Sequence, residues 1–90
     1  MADVIYGKKE VALSRVYPFG EIKKRGKTEV SVLKVNELNG FDQELIEKEL
    51  ENGKSNIYLT ISVSTGIEYD EALALADKDS LKLLKEIQGF

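Results

Sequence analysis

The sequence contains neither cysteine nor histidine, and these two absences exclude several classes of function. Without cysteine there is no disulfide framework and no thiolate metal site, which suits a protein of the reducing cytosol. Without histidine and cysteine, the commonest general base, the usual zinc ligands and the thiol nucleophile are all missing. We therefore expect a protein that is not an enzyme and that holds no metal ion and no cofactor.

Long hydrophobic runs are also lacking. No apolar stretch approaches the roughly 20 residues that a helix needs to span a bilayer, and the first residues do not resemble a signal peptide. The net charge of −3 argues against nucleic acid as the main partner, because binding to a phosphate backbone depends on clustered lysine and arginine. These features predict a cytoplasmic protein without membrane contact.

The remaining composition suits one small domain. The chain has 90 residues, of which 42% are hydrophobic, and a domain of this size buries only about 60–65% of its unfolded surface. Residues 1–9 show no periodicity and include Gly7, so we expect a flexible N-terminal arm followed by a single domain over 10–90.

The first half of that domain has the pattern of a β-hairpin. Residues 10–17 are rich in β-branched and aromatic side chains, and Pro18 ends this strand because it lacks a backbone donor. Residues 28–35 predict the second strand. In it, Val30 and Val32 share one face, and Leu33 and Val35 share the other.

The long connection between these strands carries the chain's one basic cluster. Its members are Lys23, Lys24, Arg25 and Lys27. Such a cluster is compatible with an anion or nucleic-acid contact, but a solvated hairpin end that discourages edge-to-edge pairing is the preferred interpretation.

A first helix is predicted over 41–50, with Asn39 and Asp42 as candidate caps. Its glutamates fall mainly on the solvated side, so we do not interpret them as a metal or acid/base site. The apolar residues at helical spacing are Phe41, Leu45, Ile46 and Leu50.

Residues 54–65 give conflicting signals. Apolar and polar residues alternate here, which alone predicts a strand. Gly66 at the end, together with helical neighbours, instead favours a buried helix with Ile57, Tyr58 and Ile61 on its inner face. We adopt the helix and keep the strand as the alternative.

The C-terminal segment predicts two further helices. Asp70 is a candidate cap for a short helix containing Leu73, and Asp77 and Asp79 are candidates for a longer one over 80–88. A carboxylate metal site built from these two residues and Glu71 is set aside, because both aspartates are explained as caps. The whole pattern predicts an α+β fold: an N-terminal β-hairpin followed by three or four helices.

The last helix carries an apolar stripe. Leu81, Leu84 and Ile87 recur at three-residue steps with Leu83 alongside, and Phe90 follows the terminating Gly89. A stripe of this kind packs either on the domain's own core or on a partner, and both interpretations remain open.

Taken in order, these features resemble the small tail assembly chaperones of contractile-tailed bacteriophages, the Mu-like and P2-like group. The resemblance covers about residues 10–90 and depends on order and spacing. Its elements are the strand Leu13 to Pro18, the alternating strand after Gly26, the helix start at Gly40 and Asp42, the hydrophobic segment closed by Thr65 and Gly66, the short helix with Leu73, and the last helix from Asp79 to Phe90.

The resemblance implies that the protein binds the tape measure protein and keeps it soluble before tail tube polymerisation. The implied chaperone acts in several copies, so a homo-oligomer is left open. The partner-binding hypothesis assigns Leu81, Leu83, Leu84, Ile87 and Phe90. The alternative is a small anion- or nucleic-acid-binding module that uses Lys23, Lys24, Arg25 and Lys27.

Overall fold

The computed structural model describes residues 8–19 and 29–90. In that part, an antiparallel β-hairpin is followed by four helices, which confirms the predicted α+β fold. The elements are β1 (Lys8–Tyr17), β2 (Val30–Asn36), α1 (Gly40–Leu50), α2 (Asn56–Thr65), α3 (Tyr69–Leu73) and α4 (Asp77–Gln88). No helix within the described segments is long and apolar enough to cross a bilayer.

The first strand begins earlier than predicted. Lys8 and Lys9, which we assigned to the arm, pair with Asn36 and Val35. The rest of the predicted arm, 1–7, lies outside the described residues. The strand ends at Tyr17, directly before Pro18, as expected from the missing proline donor.

A large irregularity interrupts the hairpin. Ala12 pairs with Val32 and the next pair is Tyr17 with Val30, so four residues of β1 (13–16) stand opposite the single residue Ser31. The predicted alternation fails here, because Val30 is buried and Val32 is half exposed. An irregularity of this kind disrupts the ladder and increases the local twist of the strand pair, so Val30 and Val32, on either side of it, need not share one face.

Residues 56–65 form a helix, so the helical interpretation is confirmed and the strand is wrong. Gly66 ends α2 in the left-handed conformation, at φ 85°, and its N–H donates to the Ser62 carbonyl at 2.8 Å. The inner face differs from the predicted one. Ile61 is buried and Tyr58 packs on the core, but Ile57 is 43% exposed.

Only one of the predicted N-terminal helix caps is correct. Asn39 caps α1: its side chain accepts from the Asp42 N–H, and the Asp42 carboxylate accepts from the Asn39 N–H, both at 3.0 Å. The aspartates assigned as caps of the last two helices do not fill that position. Glu68 and Ala76 are the N-cap residues of α3 and α4.

The core lies between the hairpin, α2 and α4. It joins one face of the sheet to the inner sides of these helices and to α3. Helix α1 packs mainly on α2 and buries only Ile46, although Phe41, Leu45 and Leu50 were expected on its apolar face. The core residues are Val11, Tyr17, Phe19, Val30, Leu33, Val35, Ile61, Ile67, Ala72, Leu75, Leu83 and Ile87.

Candidate functional site

The five predicted partner-binding residues on and after α4 occupy different environments. Leu83 and Ile87 belong to the core, and Leu84 is partly buried. Leu81 is 63% exposed and Phe90 is 38% exposed. The inward stripe is therefore Leu83 and Ile87, one turn apart, rather than Leu81, Leu84 and Ile87.

Three of these residues line a groove. Leu84, Ile87 and Phe90 form one wall, and Leu38 and Ile57 face them from the segment after β2 and from α2. We call this the C-terminal groove. It encloses about 410 Å³, and its polar edge consists of Glu37, Gln43, Asn56, Thr60 and Gln88.

The contribution of Leu38 and Ile57 was not foreseen from the sequence. Ile57 was assigned to the interior, and Leu38 was given no role. An apolar residue at the boundary of a predicted helix is only a weak sign of a binding groove, since single apolar residues are common on protein surfaces. Only the packing of α2 beside α4 brings these side chains together.

Phe90 is held at the end of the groove by β1. The Lys9 ammonium lies 4.5 Å from the centroid of the Phe90 ring, a cation–π contact. The same ammonium donates to the Glu86 carbonyl at 3.3 Å and lies 3.5 Å from the Glu86 carboxylate. Phe90 is thus positioned by the first strand while part of its ring stays accessible.

A buried polar cluster joins the first turn of α4 to the bulge of β1. The Asp79 carboxylate accepts from the Ser14 N–H at 2.9 Å, from the Ser14 hydroxyl at 2.8 Å and from the Tyr17 hydroxyl at 2.6 Å. Tyr17 in turn accepts from the Ala76 N–H at 3.0 Å. Asp79 is only 2% exposed. Its predicted role as a cap is therefore wrong: the carboxylate anchors another element.

The ionisation of this cluster follows from its contacts. Burial by itself would raise the pKa of Asp79, but the hydrogen bonds donated by Tyr17 and Ser14 outweigh burial, so the pKa is lowered. Burial and the hydrogen bond to Asp79 raise the pKa of Tyr17. The pair is therefore an anion bound by a neutral phenol at neutral pH. Its donors and acceptors are used internally, which is typical of a structural tether.

Two other sequence hypotheses have different outcomes. The basic cluster of the hairpin connection lies in 20–28, outside the described residues, so the anion contact stays a prediction. The set-aside metal site is not formed: within 8–19 and 29–90 no three acidic side chains are grouped so that they could hold a metal ion.

Comparison of the chain with protein-family models, curated proteins and solved structures gave no match.

Proposed function

We propose that this domain binds an apolar helical segment of another protein in the C-terminal groove, and that it acts as a tail assembly chaperone for a tape measure protein in the host cytoplasm. The observation that carries the proposal is the groove itself. Its walls include the partly exposed Ile57 and Phe90, and they converge from α2 and α4 beside an established core.

The arrangement of elements supports the chaperone assignment. The segment closed by Thr65 and Gly66 is a helix, as the resemblance requires, and a short helix with Leu73 precedes the final helix. The acidic helix α1 starts at Gly40 behind its Asn39 cap. These are four of the six features on which the resemblance depends, and the final helix starts at Asp77 rather than at Asp79.

The groove has apolar walls but exposes more polar than apolar surface, so it suits an amphipathic helix rather than a wholly apolar one. Helix-in-groove recognition places apolar side chains spaced by three or four residues into a hydrophobic channel. Full burial of an Ile, Leu or Phe side chain is worth about 1.5–3 kcal/mol, and the partly exposed Ile57 and Phe90 still have part of that free energy to gain. Covering the apolar stripe of a long helix would also oppose its aggregation.

The test is co-expression with the candidate tape measure protein, which the proposal expects to be encoded by a long reading frame immediately downstream of this gene. We expect the wild-type chain to keep that protein soluble and to co-elute with it on a sizing column. Phe90→Ala and Ile57→Ser should weaken the complex while the Tm of the free domain falls by a few degrees at most, because both side chains are substantially exposed. Val32→Thr, at a half-exposed position on the sheet, is the control for a surface apolar change.

Two results would count against the proposal. One is a wild-type chain that never solubilises the downstream protein. The other is a loss of complex in each groove variant that merely follows its loss of stability, since the groove would then have no binding role of its own. The same column reports whether the free domain is a homo-oligomer.

A further inference from the structure

Helix α1 presents an apolar surface that the core does not use. Phe41 is 82% exposed and Leu45, one turn later, is 49% exposed, while Ile46 is the buried residue of the helix. The reciprocal bonds between Asn39 and Asp42 hold this helix start in place. A partner that binds here therefore meets an already ordered helical surface, which lowers the entropic cost of binding.

A second groove adjoins this surface. It encloses about 420 Å³ between α1, α2 and the start of α3, with Leu45, Val63 and Tyr69 among its lining residues. We call it the α1 groove. It opens on a different side of α2 from the C-terminal groove, which uses Ile57 and Thr60 of that helix.

The surroundings of the α1 groove are acidic. Glu49, Glu68 and Asp70 line it, and Glu44 lies beside Phe41. The Lys54 ammonium is 2.7 Å from the Glu49 carboxylate and 5.2 Å from the Tyr69 ring centroid, so this lysine is already engaged. These four carboxylates carry a charge of −4. Lys48 and Lys54 together contribute +2, so the net charge of the rim is −2. Such a rim selects a cationic partner and disfavours nucleic acid.

We propose that the α1 groove and the adjoining surface of Phe41 and Leu45 dock a cationic amphipathic helix of another protein. The apolar stripe of that helix would cover Phe41 and Leu45, and its flanking lysines or arginines would face Glu44, Glu68 and Asp70. This surface shares no residue with the C-terminal groove. The inference therefore goes beyond the proposed function and does not depend on it.

The probe is a pair of designed helical peptides of about five turns. Both carry the same leucine stripe, and its flanks are lysine in one and glutamate in the other. Each is titrated into the full ¹⁵N-labelled chain at low and at high NaCl. The lysine peptide should shift the amide signals around Leu45, Val63 and Tyr69, and added salt should weaken its binding several-fold because the attraction is screened. The glutamate peptide should not bind.

Three variants separate the contributions. Phe41→Ala should weaken the lysine peptide by about tenfold or more, as loss of a central aromatic anchor does, without lowering the Tm, because the ring is 82% exposed. Asp70→Asn should reduce the salt dependence. Val32→Thr should bind as the wild type does.

Each other outcome overturns the proposal. Equal binding of the two peptides would remove the charge selection. If the lysine peptide does not bind, or if it shifts only the signals of Leu84 and Phe90, then no cationic helix docks at α1. Concentration-dependent self-association that Phe41→Ala abolishes would make a second copy the occupant instead.

Discussion

At the scale of single residues, Asp79 shows how one side chain can join distant parts of a small domain. Its partners Ser14 and Tyr17 are 65 and 62 residues away in sequence. A carboxylate that accepts several hydrogen bonds remains ionised when buried, whereas a carboxylate without partners would take up a proton. The bulge of β1 exists where this carboxylate is bound, so the anchor and the sheet irregularity belong to one arrangement.

Removal of the Asp79 carboxylate should be costly. Asp79→Ala leaves the buried Tyr17 hydroxyl without its acceptor and removes two hydrogen bonds from the exposed Ser14, and we expect the free energy of unfolding to fall by about 2–4 kcal/mol. The matched control is Asp77→Ala, an exposed aspartate in the same turn, which should change it by no more than about 1 kcal/mol. Urea unfolding measures both. Similar losses in the two variants would contradict the role assigned to Asp79.

The lowered pKa of Asp79 also predicts a pH dependence. Because the folded-state pKa lies below that of the unfolded chain, the stabilisation by Asp79 is present above the unfolded value of about 3.9 and is lost as pH falls through the folded value. The unfolding free energy of the wild type should therefore fall more steeply with acidification below about pH 4 than that of Asp79→Asn. Parallel pH profiles would show that Asp79 does not contribute.

At the scale of elements, α4 shows that an apolar pattern can allow more than one buried face. Its apolar residues, at 81, 83, 84 and 87, permit either of two stripes. The structure buries Leu83 and Ile87 together with Ser80 and the anchored Asp79. Once Asp79 is turned towards β1, Leu83 must point inward and Leu81 outward.

Two leucines of α4 should therefore respond differently to truncation. Leu83→Ala removes a fully buried side chain and should cost about 2–5 kcal/mol. Leu81→Ala, at a position 63% exposed, should cost less than about 0.5 kcal/mol. Chemical denaturation of both variants is the measurement. Equal costs would restore the stripe predicted from three-residue spacing.

The end of α2 provides a second test at this scale. Gly66→Ala should lower the unfolding free energy by about 1 kcal/mol or more, because φ is 85° there and an alanine strains the left-handed conformation. Gly40→Ala, in the first turn of α1 with no atom within 4 Å of an added Cβ, should be neutral or stabilising. If both variants were equally stable, the left-handed end of α2 would be in doubt.

At the scale of the whole molecule, stability should be uneven. The hairpin, α2 and α4 share one core, whereas α1 buries only Ile46 and packs mainly on α2. Segments with few buried apolar contacts open at lower free energy. This arrangement leaves α1 and its exposed Phe41 at the periphery, where a partner can reach them.

Hydrogen exchange followed by mass spectrometry should detect this difference. The amides of α1 should exchange faster than those of α2 and α4, because local opening of α1 disrupts little of the core. Protection of α1 equal to that of α4 would show that its packing on α2 is stronger than its burial indicates.

The sequence by itself determined the features that depend on neighbouring residues. The end of β1 before Pro18, the Asn39 cap of α1 and the left-handed end of α2 at Gly66 all follow from local backbone chemistry. The order of hairpin and helices was predictable for the same reason, since the period of the hydrophobic pattern changes from two to 3.6 residues.

Only the tertiary structure decided how these elements meet. It turned Asp79 inward as an anchor, chose Leu83 over Leu81, left Phe41 exposed and added Leu38 and Ile57 to the groove of Leu84 and Phe90. These outcomes depend on contacts between residues far apart in sequence, and no local periodicity or propensity encodes which of several apolar faces such contacts will bury.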